Sequence, residues 1–411
     1  MHNGNGITSP CLLTINGGSS SIKFAAFSIA GNLQRLLMGK IERIGQANSQ
    51  LVLRQPGVPQ RTQSVTAPDH KAAVEILMQW IDENIASDRL VAAGHRVVHG
   101  GPEYRAHQRI SPQLVKALRS LEPFDPEHLP DEIRLTEAFH SRHPNLPQVA
   151  CFDTAFHRDL PLRARMLPIP RRFHDRGIQR YGFHGLSYAF IVEQLGRVAG
   201  PAAAEGRSIL AHLGNGASLA AVHNGRAIDT TMGFTPAAGV PMSTRSGDLD
   251  PGLPWFLSRT ERMSASRWNK MVNSESGLLG ISETSSDMRE LLERESSDHR
   301  AAEAVQVFCY SIRKAIGALA AALGGLDTIV FTGGIGENSH PVRARICEGM
   351  GFLGMEVDLP RNQQNAPVIS SNASRVTIRV IPTDEEWMIA RSVCEVLGMP
   401  VEASYHEIET Q

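Results

Sequence analysis

Two stretches of this chain repeat one design at an offset of 199 residues. Asn16-Gly17-Gly18-Ser19 and Asn215-Gly216-Ala217-Ser218 each end an apolar run and each precede a second one, Ile22 to Ile29 and Leu219 to Val222. Both second runs meet a further turn, Gly31-Asn32 or Asn224-Gly225, and then a third short segment. The pattern predicts two strand–turn–strand–turn–strand meanders, and Asn224-Gly225 is a strong hairpin signal. An offset near half of the 411 residues implies two related α/β domains.

A third apolar run, Thr328 to Thr332, ends in Gly333-Gly334-Ile335-Gly336-Glu337-Asn338. Glycine adopts positive φ cheaply and lets a phosphate approach the backbone, so such turns can aim N–H groups at an anion. One turn is weak evidence; three at strand ends imply a cleft built around a polyphosphate. The third is expected to lead into a helix started by Asn338-Ser339, with Pro341 in its first turn.

The length predicts two domains, 1–153 plus 386–411 and 154–385, with the last helix, from about Glu385, returning to the first. Hydrophobic residues at 42% are too many for a disordered chain. A net charge of −1 argues against general nucleic-acid or anionic-membrane binding. Met1 to Pro10 carries no signal-peptide pattern, and the most apolar helical stretch, Ala315 to Leu326, is too short to span a bilayer. Five scattered cysteines without a Cys-x-x-Cys pair read as reduced thiols in the cytoplasm.

Along the chain, Asp69 is placed to cap a helix from Lys71 to Ile85, Leu90 to Val98 is a buried strand, and Gln148 to Phe152 is another. His157 to Tyr181, with seven arginines, reads as a solvated loop. Asp287 and Glu290 are spaced as a capping box, and Gly324-Gly325 stops a long helix from Ala301 to Leu323. Taken alone, Arg96, Arg245 and His184 read as structural or ion-pair residues, with His184 on a mobile-looking loop. Asp153 needs a partner where it follows an apolar strand, and His157 is placed to supply one. Glu385 alone reads as a carboxylate at a helix N-terminus.

The chain resembles the acetate kinase family, of the superfamily that holds sugar kinases and actin. The resemblance runs from about Leu12 to Arg391. It is carried by Asn16-Gly-Gly-Ser-Ser-Ser-Ile-Lys23, His95-Arg96-Val-Val98-His-Gly-Gly, Cys151-Phe-Asp153-Thr-Ala-Phe-His157 and Tyr181-Gly-Phe183-His184-Gly. Further carriers are His212-Leu213-Gly214-Asn215-Gly216, Ser243-Thr-Arg245-Ser-Gly-Asp248-Leu-Asp250-Pro251, Asp287-Met288-Arg289, Phe331 to Asn338 and Pro382-Thr-Asp-Glu385-Glu386. It implies two duplicated actin/sugar-kinase-like (ribonuclease H-like) α/β domains with an interdomain active-site cleft, and a homodimer.

The activity it implies is reversible, in-line phosphoryl transfer from ATP to acetate or propionate, with Mg²⁺, or Mn²⁺ in its place. Such a transfer needs positioning and charge neutralisation, and a carboxylate acceptor needs no strong base. The resemblance gives Asp153, His184 and Arg245 catalytic roles. It puts the substrate carboxylate on Arg96, with Val98, Phe183 and Pro236 as pocket wall. It places Asn16 and Glu385 near the metal. Nucleotide contacts fall to Lys23, His212, Leu213, Gly214, Asn215, Gly216, Asp287, Met288, Arg289, Gly334, Ile335, Gly336, Glu337 and Asn338.

Two departures stand out. Pro123-Phe124-Asp125-Pro126 stands where the family has Pro-Leu-His-Asn-Pro, so a histidine is expected to be missing, and Ser187-Tyr188 stands where it often has Ser-His. Three other readings compete with this one. A sugar or polyol kinase would use Asp153 as base. An actin-like ATP-binding scaffold leaves His184 and Arg245 without a role. A dinucleotide oxidoreductase built on Gly334-x-Gly336 and Asp358 lacks the third glycine.

Overall fold

The computed structural model describes residues 7–18, 20–400 and 405. Ser19 of the first repeat and the outermost residues of both termini lie outside the described residues. The chain divides into two compact units, 1–155 with 384–411, and 156–383.

The first unit holds strands β1 (Cys11–Gly18), β2 (Ser21–Ser28), β3 (Gln34–Glu42), β4 (Gln50–Gln55), β5 (Val58–Ser64), β6 (Leu90–Val97), β7 (Gln108–Arg109) and β8 (Gln148–Phe152). They form one sheet in the order β5-β4-β3-β2-β1-β6-β8-β7. β1, β2 and β3 pair antiparallel, whereas β1, β6 and β8 run parallel. The helix His70–Asn84, capped by Asp69 Oδ1 on the Ala72 N–H, buries Leu77 and Ile81 in a core with Leu13, Ile15 and Phe24. The helix Glu385–Leu397 packs against β6 so tightly that a Cβ at Gly94 would lie 2.5 Å from Val393 Cγ2 and 2.6 Å from Ile389 Cγ2. Only glycine permits that approach.

The second unit holds β9 (Ser208–Leu213), β10 (Ala217–His223), β11 (Arg226–Thr230), β12 (Thr328–Thr332) and β13 (Thr377–Val380), in the order β11-β10-β9-β12-β13. Again the first three pair antiparallel and the last two run parallel to the first of them. The order 3-2-1-4-5 therefore occurs twice. Asn224 (φ +51°) and Gly225 (φ +68°) make the β10–β11 turn, both left-handed as a tight two-residue hairpin requires.

Several local expectations are corrected. Glu290 does not close a capping box: it accepts from Ser285 Oγ, while Asp287 caps the helix Met288–Arg294 alone through the Arg289 N–H. The arginine-rich segment contains two short helices, Leu162–Arg165 and Arg171–His174. Arg180 within it donates to the carbonyls of Ala164, Thr230, Thr231 and Met232, so it is a clamp on the end of β11 and not a solvated side chain.

Candidate active site

In the first unit the parallel strands β1, β6 and β8 deliver Asn16, Arg96 and Asp153 near their C-terminal ends. Register explains the meeting: Ile15 lies opposite His95, which sets Asn16 level with Arg96, and Arg96 lies opposite Cys151, with Asp153 two residues on at the end of β8. Arg96 Nε and Nη2 both donate to Asp153 Oδ2, at 3.0 and 2.5 Å, and Arg96 Nη1 reaches Asn16 Oδ1 and the Gly17 carbonyl. Asn16 Nδ2 donates in turn to Glu385 Oε2 at 2.8 Å and to Glu386 Oε1 at 3.5 Å. Burial lowers the Arg96 guanidinium, but the charges of Asp153, Glu385 and Glu132 outweigh it and hold it above its ordinary value. Burial also raises the Asp153 carboxyl, and Arg96 reverses only part of that rise. Lys23, opposite Asn16 on β2, is exposed. His157 does not partner Asp153; its Nε2 lies 2.9 Å from the Phe183 carbonyl.

Three groups that the sequence left unassigned line the same region. Glu132, in the first turn of the helix Leu129–Arg142, accepts the N–H of Val98 at 3.0 Å. Asp125 Oδ1 lies 2.9 Å from His128 Nδ1, and the His128 charge bears on Asp153. Asp125 thus stands where the resemblance leads one to expect a histidine, with His128 three residues on.

In the second unit His184 (φ +57°) is the N-cap of the helix Gly185–Ala199 and not part of a mobile loop. Its ring stacks on His212 with centroids 4.2 Å apart, and its Nδ1 lies 2.9 Å from Ser218 Oγ. Tyr188, fully buried, meets the same Ser218 hydroxyl, while Ser187 Oγ holds His212 Nδ1 at 2.9 Å. The Ser187-Tyr188 departure therefore supports the two histidine rings. Ser218 was visible as the repeat's serine, but nothing in the sequence paired it with His184.

Around these rings the glycine turns converge. A Cβ at Gly216 would lie 3.1 Å from His184 Nε2 and 3.6 Å from Arg245 Nη1. One at Gly214 would meet His212 Nε2 at 3.7 Å and the Gly334 nitrogen at 3.9 Å. Ser243 N donates to the Asn215 carbonyl, docking the Arg245 loop on the turn. Arg245 Nη1 reaches the carbonyl of buried Pro236, and Phe183 is buried as well. The structure thus brings His184, His212, Gly214, Asn215, Gly216, Arg245 and Gly334 together. Asp287, Met288 and Arg289 form a separate helix start, with Arg289 exposed and paired to Asp287.

The helix expected after the third glycine turn is present, with Ser339 as its N-cap and Pro341 in its first turn, and the turn itself is helical too. Gly333–Asn338 is already helical, and a second helix, His340–Cys347, follows Ser339. Glu337 turns its carboxylate inward onto the N–H groups of Gly333 (2.8 Å) and Thr383 (3.1 Å), and Asn338 Nδ2 donates to the Gly334 carbonyl. Arg343, fully buried, donates to the Gly336 and Glu337 carbonyls and to Asn362 and Asn365, fastening the far end of this short helix.

A model of the Acetokinase family matches residues 11–391. The chain is 45% identical over 401 residues to the acetate kinase of Methylocella silvestris, covering 95% of this chain and 98% of that protein. It is 43% identical to the acetate kinase of Rhodopseudomonas palustris, over 94% of this chain and 98% of the other. Among solved structures it is similar to Porphyromonas gingivalis acetate kinase, with TM-score 0.84 and 36% identity over 95% of this chain and 100% of that one. A propionate kinase from Francisella tularensis gives TM-score 0.87 and 35% identity over 93% and 98%. The fold is α/β with two duplicated actin-like domains, and the chain belongs to the acetokinase family.

Proposed function

We propose that this protein is an acetate kinase, transferring the γ-phosphoryl group of ATP to acetate, and also to propionate, to give ADP and the acyl phosphate reversibly. The observation that carries the reading is the convergence of His184 Nε2 and Arg245 Nη1 on the bare backbone of Gly216. A cation and a ring N–H aimed at one backbone turn suit the equatorial oxygens of a transferring phosphoryl group. Arg96, held in plane by Asp153, would bind the acetate carboxylate through its fork, beside Val98. His212 and the Gly214 to Gly216 and Gly334 backbones would take the nucleotide phosphates, and Asp287 to Arg289 the adenosine. A polyol kinase would need a free base, whereas Asp153 is 1% exposed and spends one oxygen on orienting Arg96.

Mg²⁺ fits the donors present. Asn16 and Glu385 carry hard side-chain oxygens and are tied together by the Asn16 Nδ2 to Glu385 Oε2 bond of 2.8 Å, and Mg²⁺ needs few protein ligands when phosphates and waters supply the rest. When bound it would neutralise negative charge on the phosphates.

A homodimer is supported by apolar exposure on the second unit. The helix His299–Leu323 leaves Val307 41% and Tyr310 59% exposed, and the helix Leu253–Thr260 leaves Trp255 71% exposed. Trp255→Glu should shift the species seen by light scattering toward monomer. Five buried, unlinked cysteines support a cytoplasmic location.

An acyl-hydroxamate assay with ATP, Mg²⁺ and a panel of acetate, propionate, butyrate and glycerol tests the activity. Highest kcat/KM on acetate is expected; preference for glycerol would overturn the reading.

A further inference from the structure

Glu132 is a costly residue for its place. Its side chain is 5% exposed, yet only Oε2 is used, accepting the Val98 N–H at 3.0 Å; Oε1 is buried without a hydrogen-bond partner. A carboxyl left in that state is unfavourable unless something else depends on it. Its neighbours supply the reason. Val98 follows β6 two residues after Arg96, so the Glu132–Val98 bond fixes the backbone on which Arg96 stands. The charges facing Glu132 are Arg96 on β6, Asp125 ahead of its own helix and Asp153 after β8. It also lines a small cavity with Gly17, Gly18 and His128, at the end of β1 where Asn16 and Gly17 receive Arg96.

We propose that Glu132 is a positioning and specificity residue for the carboxylate half of the reaction, holding Val98 and the Arg96 backbone in register from the first turn of its helix. The proposal rests on the acetate kinase reading above. Four carboxyl groups, Asp125, Glu132, Asp153 and Glu385, crowd about Arg96, and an acetate ion can enter only where that negative charge is held down. Burial pushes the Glu132 carboxyl up to about 8, against the lowering by Arg96, so its negative charge beside Arg96 is weaker than that of an ordinary carboxylate. It can then hold Val98 while competing less with the substrate for the guanidinium. A neutral amide of the same shape could do the same.

The test compares Glu132→Ala and Glu132→Gln with the wild type, varying acetate, propionate and ATP separately, with folding checked by thermal melts. Glu132→Ala leaves the Val98 N–H without its acceptor and frees the wall. It should raise KM for acetate roughly tenfold, change the acetate-to-propionate kcat/KM ratio about threefold or more, and leave KM for ATP within about twofold. Glu132→Gln, which keeps an acceptor and the volume, should recover most of the acetate KM. Should Glu132→Ala prove too unstable to assay, Glu132→Asp, whose shorter arm withdraws the acceptor, is expected to show the same split. An active wild type whose Ala or Asp variant melts lower but keeps its acetate KM and acyl ratio would overturn the proposal alone, as would a Gln variant no better than Ala. A wild type that makes no acyl phosphate would overturn the functional reading beneath it.

Discussion

Asp153 grips Arg96 from one side: Nε and Nη2 both donate to its Oδ2, at 3.0 and 2.5 Å, so the guanidinium cannot rotate without losing both bonds. Removing the carboxylate should cost activity without touching the cation. Asp153→Ala is expected to lower kcat/KM for acetate roughly a hundredfold, since a misplaced binding group can lose that much. Arg96→Ala should mainly raise KM for acetate. Steady-state kinetics with varied acetate at saturating ATP distinguish the two, and wild-type values in Asp153→Ala would remove its orienting role.

Arg245 is expected to act on the rate and not on binding. Arg245→Ala should lower kcat roughly a hundred- to thousandfold, the usual loss of one preorganised donor at a developing charge. Arg245→Lys should restore only part, keeping the charge without the planar fork. Near-wild-type kcat in the alanine variant would make Arg245 structural.

Two glycines should fail in different ways. Gly216→Ala places a methyl 3.1 Å from His184 Nε2 and should lower kcat roughly tenfold or more with the fold intact. Gly334→Ala meets nothing within 4 Å, so stability should hold, yet a nucleotide phosphate approaching that backbone would be blocked and KM for ATP should rise. Unchanged ATP titration curves for Gly334→Ala would take Gly334 out of the phosphate contacts.

Asn16→Ala and Glu385→Ala should each shift the Mg²⁺ dependence of the rate to higher concentration and lower kcat, because the ion loses an oxygen ligand or the group orienting it. Asn16→Ala should also disturb Arg96, its other partner, so KM for acetate is expected to rise in that variant. Superimposable magnesium titrations for both variants and wild type would remove the two residues from the metal site.

Two buried groups give the stability opposite slopes with pH. Burial raises the folded Glu132 carboxyl to about 8 from an ordinary 4.5, so between these values the folded state holds a proton the unfolded state lacks, and stability falls as pH rises. Burial lowers His95 to about 4 from 6.5, so there the unfolded state holds the extra proton, and stability falls as pH drops through that window. Each slope is at most about 1.4 kcal/mol per pH unit. Urea melts from pH 4 to 9 should show Glu132→Gln flattening the alkaline limb and His95→Phe the acid limb. Parallel curves for variant and wild type would contradict the assignment.

The strand framework was legible because its signals are local. Apolar runs ended by Asn-Gly turns fix the meanders, and their repetition announced the duplicated sheet order. Arg96 and Asp153 were both singled out, but their pairing depends on β6 and β8 lying side by side, a contact spanning 57 residues that no window can show. Glu132 was missed for the same reason, since its partner is the backbone N–H of Val98, just past the end of β6 and 34 residues away. Helicity at Gly333–Asn338 was obscured by the glycines themselves, because the closing bonds come from Glu337 and Asn338, which read as turn residues.

The repeated strand order has been put to two unlike uses. At the ends of β1, β6 and β8 the working groups are side chains: an amide, a guanidinium and a carboxylate whose identities matter. At the ends of β9 and β12 they are stretches of bare main chain, where what matters is that nothing is attached. A saturation scan should therefore read differently over the two copies. In the first, tolerance will track chemical similarity to Asn, Arg and Asp; in the glycine turns of the second it will track volume and backbone conformation, with alanine already crowded at Gly216 and strained at Gly333.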